Sequence, residues 1–212
     1  MEIKGEVEIQ ELDTSGESLK AMAMGDIEAN VLYDQDPLNP REEFAEITTM
    51  VLNGGRNHNF ACEVDKNIWG EASGYDELRE LLLDRFHPLA IRPVYVYDHS
   101  GITLRLGANG DNPFTIDANW DTALVGFCMV TPEKYYEAFG EEPPSEDRLV
   151  SLMAAEVDEY SAYCSGEVYG YVLTNRSNGE DLDSCFGFYE FDDCVERAKE
   201  ALREHAMPTV SL

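Results

Sequence analysis

Positive charge is scarce in this sequence. Fifteen lysines and arginines stand against forty-three aspartates and glutamates, for a formal net charge of −28 over 212 residues. A basic face that could follow a phosphate backbone or an anionic membrane is therefore excluded, and with it direct nucleic-acid binding. The imbalance runs through the whole chain: residues 1–106 carry nine bases and twenty-one acids, residues 107–212 six and twenty-two. It is not an appended tail, and it favours basic partners. The competing explanation is solubility in a salty cytoplasm, which ten arginines against five lysines also fit.

Long apolar runs are missing too. No stretch of about eighteen apolar residues occurs, as a spanning helix would need, and the opening MEIKGEVEIQ has no apolar leader segment. The expectation is a soluble protein of the (host) cytoplasm with no membrane partner. Cysteine is sparse and irregular: Cys62, Cys128, Cys164, Cys185 and Cys194 include no C-x-x-C pair. Reduced, mostly buried thiols fit that spacing better than a disulfide framework or a zinc module. No Walker loop, dinucleotide fingerprint, HExxH helix or nucleophile elbow is present. We expect no metal and no cofactor.

What is there argues for a packed core. Hydrophobic residues make up 43% of the chain, with nine Phe and eleven Tyr, so an acidic disordered chain is the wrong class. The densest strand-like stretch is Ile91 to Val130. Pro93–Tyr97 and Ile102–Leu106 alternate with period two around the turn-forming Asp98-His99-Ser100-Gly101, which predicts an antiparallel hairpin. Leu124–Val130 supplies a third strand. The fold class expected is α+β: one domain over residues 1–212, with an antiparallel sheet centred on 91–130 and helices packed against it.

Around that centre the chain alternates. Ile3–Leu12 reads as an edge strand, Thr14–Met24 fits a short helix, and Asn39-Pro40 is an N-cap followed by proline at the first helical position. Ile47–Leu52 is β-branched and reads as a strand. Residues 53–74 have no period and form an irregular insertion. Tyr75–Phe86 is amphipathic, with Tyr75, Leu78, Leu82 and Phe86 on one face, and His87-Pro88 stops it. Further helices are predicted over Pro132–Phe139, capped by Thr131, over Glu146–Cys164 and over Phe191–His205. A second hairpin is predicted from Gly166–Leu173 and Asp183–Tyr189.

Two local motifs invite a catalytic or metal reading. Asp98-His99-Ser100 has the residue types of a hydrolase triad, yet a triad is defined by convergence of distant side chains, and a turn held by Asp and Ser side chains is the simpler account. His99 remains a candidate acid or base, with Asp98 and Asp121 as partners and Trp120 beside them. Asp117 to Asp121 mimics the start of a calcium loop, but position six is Thr122 and position twelve is Cys128, so no calcium site is expected.

The acidic runs are the remaining signal. Thr131–Ser165 holds nine acids and two bases, and Glu180–Glu196 seven acids and no base. Acids on successive helical turns stand about 5–6 Å apart and can imitate the phosphate track of duplex DNA. The candidate partner-binding residues are Glu137, Glu141, Glu142, Asp147, Glu156, Asp158 and Glu159 in the first run, and Glu180, Asp181, Asp192 and Asp193 in the second.

The chain also resembles a family of uncharacterised proteins encoded by phages, prophages and plasmids of bacteria. The resemblance rests on Asp36-Pro37-Leu38-Asn39-Pro40-Arg41-Glu42 with Thr49-Met50-Val51, on Val96 to Thr103 (VYDHSGIT), and on Trp120-Asp121. It continues in Val125-Gly126-Phe127 with Val130-Thr131, in Gly166 to Tyr171 (GEVYGY), and in Asp183-Ser184-Cys185 with Gly187-Phe188-Tyr189. The family pattern has Cys-Pro where this chain has Ala118-Asn119, and Trp where it has Phe186, so neither departure supports a fixed role there. The resemblance implies mobile-element cargo and no catalytic residues. Taken with the charge, it leads to the expectation of an acidic, DNA-mimic-like inhibitor of a basic, nucleic-acid-binding host defence enzyme of restriction or CRISPR type. The alternatives are a small enzyme or ligand-binding protein using the Asp98–Gly101 turn, and an accessory protein whose acidity serves solubility alone.

Overall fold

Period-two segments and amphipathic helices alternate along the chain in the computed structural model, which describes residues 8–55, 58–99, 101–114, 120–140 and 142–206. The fold is α+β. The antiparallel sheet expected around residues 91–130 is present, and it is accompanied by a second. Two antiparallel sheets are present, and the chain divides into two compact units, Met1–Leu38 with Gly166–Leu212, and Asn39–Ser165. No helix among the described residues is long and apolar enough to cross a membrane.

The central unit is a three-layer structure. Its sheet has the order β4 (Thr48–Leu52), β7 (Thr122–Val130), β5 (Ala90–Asp98), β6 (Ile102–Leu106), and the expected β5–β6 hairpin pairs Val94 with Leu106 and Val96 with Leu104. One face takes α5 (Glu146–Ser165), whose Leu149, Met153, Val157 and Tyr160 pack on Met50, Val94, Leu104 and Val130. The other face takes α2 (Ile68–Glu71) and α3 (Tyr75–Phe86), with Ile68, Leu78 and Leu82 against Val51, Phe127 and Met129. Strand β4 is buried at every residue because both layers cover it.

Three local details shape the edges and ends of this sheet. Strand β7 bulges opposite Val94 and Tyr95, at Val125-Gly126. Gly126 has φ 147°, and a Cβ there would meet the Val51 carbonyl oxygen at 2.0 Å, so only glycine fits. The irregular segment after β4 is less idle than its sequence suggests: Leu52 N–H donates to Ala61 O and Glu63 N–H to Met50 O, which covers the outer edge of β4. Finally, α1 (Pro40–Glu43) begins at Asn39, whose side chain accepts from Arg41 N–H, and α4 (Pro132–Phe139) begins at Thr131, both as expected.

The terminal unit carries the sheet order β1 (Gln10–Leu12), β2 (Lys20–Met24), β3 (Ile27–Tyr33), β8 (Tyr169–Asn175), β9 (Asp181–Phe188). The expected β8–β9 hairpin is present, but β8 also pairs with β3 along its full length. The helix expected within Thr14–Met24 is corrected to strand β2, whose Met22 enters a core with Ala29, Val31, Tyr171 and Leu173. Helix α6 (Phe191–Ala206) closes that core with Cys194, Val195, Ala198, Ala201 and Leu202.

Candidate functional site

The acidic positions singled out from the sequence separate into two kinds. Glu137, Glu142, Asp147 and Asp158 of the central unit are exposed, as are Glu180, Asp181, Asp192 and Asp193 of the terminal unit; Glu141 lies outside the described residues. Glu159 is half-buried, and burial together with the Glu156 charge pushes its carboxyl above the usual range. Glu156 is a correction. It faces inward, because it falls at i+3 from Met153 and four residues before Tyr160, on the edge of the buried stripe.

The two acidic helices therefore present different surfaces. On α5 the exposed residues between Asp147 and Asp158 include Arg148, Ser151 and Ala155, so acids do not recur on successive turns. On α6 they do: Asp192 and Asp193, Glu196, Glu200 and Glu204 are all exposed at four-residue spacing, about 6 Å of axis per step. Basic residues bridge part of this row, Lys199 Nζ to Glu196 at 2.6 Å and Arg197 to Glu200 and Glu204 at 3.3 and 3.7 Å.

Glu156 belongs to a buried ionic cluster around Arg41. The guanidinium, 3% exposed, donates from Nε to Glu63 at 2.6 Å, from one terminal nitrogen to Glu156 at 2.9 Å and from the other to Thr48 O at 2.9 Å. Glu156 also accepts from Ile47 N–H at 3.0 Å, Thr48 N–H at 3.1 Å and the Thr48 hydroxyl. Lys134 reaches Glu63 at 3.2 Å and Thr48 O. Burial opposes the Arg41 charge, but Glu63 and Glu156 outweigh it and hold the guanidinium protonated. Burial likewise opposes ionisation of Glu156, and the Thr48, Glu46 and Arg41 contacts reverse the balance to keep it a carboxylate. Glu46 goes the other way: burial, then its hydrogen bond to Glu156, push its carboxyl up to about 8. No buried side-chain nitrogen or oxygen among the described residues lacks a partner. The cluster is closed, and it ties α1, β4, α4 and α5 together.

The open feature of the central unit lies at the other end of its strands. A cleft of about 380 Å³ is lined by residues from the Asn53–Phe60 segment, Tyr75 of α3, the end of β5 and the start of β7. His58 Nε2 lies 2.8 Å from Asp98 Oδ2, and the His58 ring stacks on Phe60 at 5.2 Å. His99 Nδ1 lies 3.2 Å from Asp121 Oδ2, and the Asp98 N–H donates to the Asp121 carbonyl, so the two aspartates sit at the adjoining ends of β5 and β7 and both line the cleft. Trp120 stands at the rim, 97% exposed.

The Asp98-His99 motif is thus resolved into two pairs. Asp98 and His99, neighbours in sequence, do not pair with each other; Asp98 meets His58 and His99 meets Asp121. Asp98 and Asp121 line the cleft, whereas His99, more than half exposed, is not among the lining residues. Ser100 lies outside the described residues. His58 was not singled out from the sequence, and its position 40 residues from Asp98 in a segment without periodicity left no local signal.

Among the described residues no group of three or more His, Cys, Asp or Glu side chains is arranged to hold a metal ion. The five cysteines are free, Cys128 and Cys194 buried and Cys185 exposed. Burial pushes the Cys128 thiol up to about 12, and the same cause raises Cys164 and Cys194, so none of these three has thiolate character at neutral pH. Compared with protein-family models, with curated proteins and with solved structures, the chain has no match.

Proposed function

We propose that the protein is a binding protein of mobile-element origin, an acidic, DNA-mimic-like inhibitor that occupies the basic cleft of a nucleic-acid-handling host enzyme of the restriction or CRISPR kind. The observation that carries this reading is the row of acids on α6. Carboxylates repeat there on successive turns, and the strand and loop before it add Glu180, Asp181, Asp183 and Glu190. Over Glu180–Ala206 nine acids face three bases. A solvated helix face without a partner has no need of that ratio, and a groove that binds one phosphate per about 3.4 Å of each strand would accept it. The family resemblance supplies the setting, a host cell invaded by a phage or plasmid.

The test is capture. The immobilised protein is exposed to host lysate at low and high salt, and what remains bound is identified. A DNA-handling enzyme that is released by salt and displaced by duplex DNA supports the proposal. A column that retains nothing, or retains a protein that duplex DNA cannot displace, overturns it.

A further inference from the structure

We propose that the cleft beside His58, Asp98, Asp121 and Trp120 is a binding site for an organic cation, with a guanidinium or ammonium group held by the two carboxylates and covered by the indole. The cleft owes nothing to the α6 surface, and the fixed charges on its described walls are of one sign. Among the described residues lining it there are two carboxylates and no lysine or arginine. Among those described residues an anionic ligand such as a nucleotide or a carboxylic acid finds no fixed positive charge, whereas a cation finds two carboxylates lining one cleft.

The geometry leaves those carboxylates usable. His58 and His99 each engage one oxygen, Oδ2 of Asp98 and Oδ2 of Asp121. A carboxylate has about four lone-pair sites, so the second oxygen of each remains to accept from a ligand. The histidines act as positioning residues. His58 is itself held by its stack on Phe60 and by the close approach of Gly54, where a Cβ would lie 2.4 Å from the His58 carbonyl oxygen.

Trp120 supplies an aromatic face. A tryptophan exposed to 97% has its full ring face open to solvent, although burying an indole is among the larger hydrophobic gains a side chain offers. Of the aromatic side chains it is also the strongest partner for a cation lying over its face. Phe60, Tyr75 and Val96 give the floor an apolar character suited to the alkyl or aryl part of such a ligand.

A protein of net charge −28 attracts cations everywhere, so the measurement must read this site. The full chain is labelled with 5-fluorotryptophan, and the two ¹⁹F resonances, from Trp69 and Trp120, are assigned with the Trp120→Phe variant. Two probes separate the sources of the cation: agmatine for a free small molecule, and a blocked Gly-Arg-Gly peptide for an arginine of another protein. The neutral citrulline peptide is the control. The expected result is a saturable shift of the Trp120 resonance with one or both guanidinium probes and none with citrulline. Asp98→Asn and Asp121→Asn should each weaken binding about tenfold, and Trp120→Ala, a change at a fully exposed residue, should weaken it about fivefold by calorimetry. Binding by agmatine alone assigns a small-molecule cation, and binding by the peptide alone assigns a protein side chain. The proposal is overturned if neither probe shifts Trp120, if citrulline binds as well as arginine, or if affinity survives Trp120→Ala and Asp98→Asn unchanged.

Discussion

Helices α5 and α6 are both rich in carboxylates, and they use them in opposite ways. On α5 the central glutamate, Glu156, is 13% exposed and accepts from Arg41, Thr48 and the Ile47 amide. On α6 the acids at 192, 193, 196, 200 and 204 point to solvent, and their ion pairs are with neighbours on the same helix. Buried carboxylates need full compensation and hold the fold together; exposed ones contribute little to stability and are free to meet a partner. Net charge alone does not separate the two roles. Charge reversal at Glu156 would abolish partner binding through loss of the fold, which says nothing about the interface.

The largest effect that would break this contrast is at Arg41. Arg41→Ala leaves Glu63 and Glu156 buried without their cation, and should cost about 3–5 kcal/mol in chemical denaturation. A loss below about 1 kcal/mol would show that the cluster is dispensable and that α5 resembles α6 after all. The same cluster has a pH signature. Glu46 ionises near 4.5 when unfolded and only near 8 when folded, so between those values the folded state holds the extra proton. Stability from this group is therefore fully present below about 4.5 and lost as pH rises through about 8. Glu156, held below its usual range, contributes with the opposite sign and loses its part in acid. Glu46→Gln keeps a donor for Glu156 and should flatten the decline of stability between pH 5 and pH 8; an unchanged slope would assign it elsewhere.

A smaller effect sits where α5 meets the segment that covers β4. The Tyr160 hydroxyl accepts from the Ala61 amide at 2.8 Å in a site where the tyrosine is 3% exposed. Tyr160→Phe strands that amide and should cost about 1–3 kcal/mol, read from the same denaturation curves. Because this contact fixes the chain just after His58, hydrogen exchange in residues 58–63 should also rise in the variant. Unchanged exchange there would show that the segment is held by β4 alone.

Much of the fold was legible because its signals are local. Helix α3 runs over the predicted Tyr75–Phe86, and the α5 stripe of Leu149, Met153, Val157 and Tyr160 is buried as its spacing required. In the second sheet the β8–β9 hairpin was legible, while β2, β3 and the β3–β8 pairing were not. Strands KAMAM and IEANVLY have few β-branched residues, and the partner of β3 lies about 140 residues further on, in β8. The same distance effect hid the sites. Arg41 and Glu156 are 115 residues apart, and His58 and Asp98 are 40. Asp98, Asp121 and Trp120 were legible together, but without His58, and Glu156 left only its position at i+3 from Met153 on the buried stripe, a trace easily read as one more surface acid.

The smallest effect on stability is the one that sharpens the comparison most. Replacing Asp192 and Asp193 by Asn and Glu196 and Glu200 by Gln removes four exposed negative charges from α6 without touching Cys194, Val195, Ala198 or Ala201 beneath them. Asp192 and Asp193 also stand in the first turn, where negative charge favours the helix by about 0.3–1 kcal/mol each. The loss of the Lys199 and Arg197 pairs adds little, since exposed pairs are worth about 0–1 kcal/mol, and relief of like-charge repulsion in a protein of net charge −28 works the other way. The net change in denaturation midpoint should therefore be slight. Association with a captured basic partner should fall at least tenfold, with a shallower dependence on salt, because each neutralised carboxylate removes one charge from the encounter. A variant that keeps its stability and its partner affinity would place the binding surface away from α6. One that loses both would make α6 structural in the way α5 is, and the distinction between the two helices would fail.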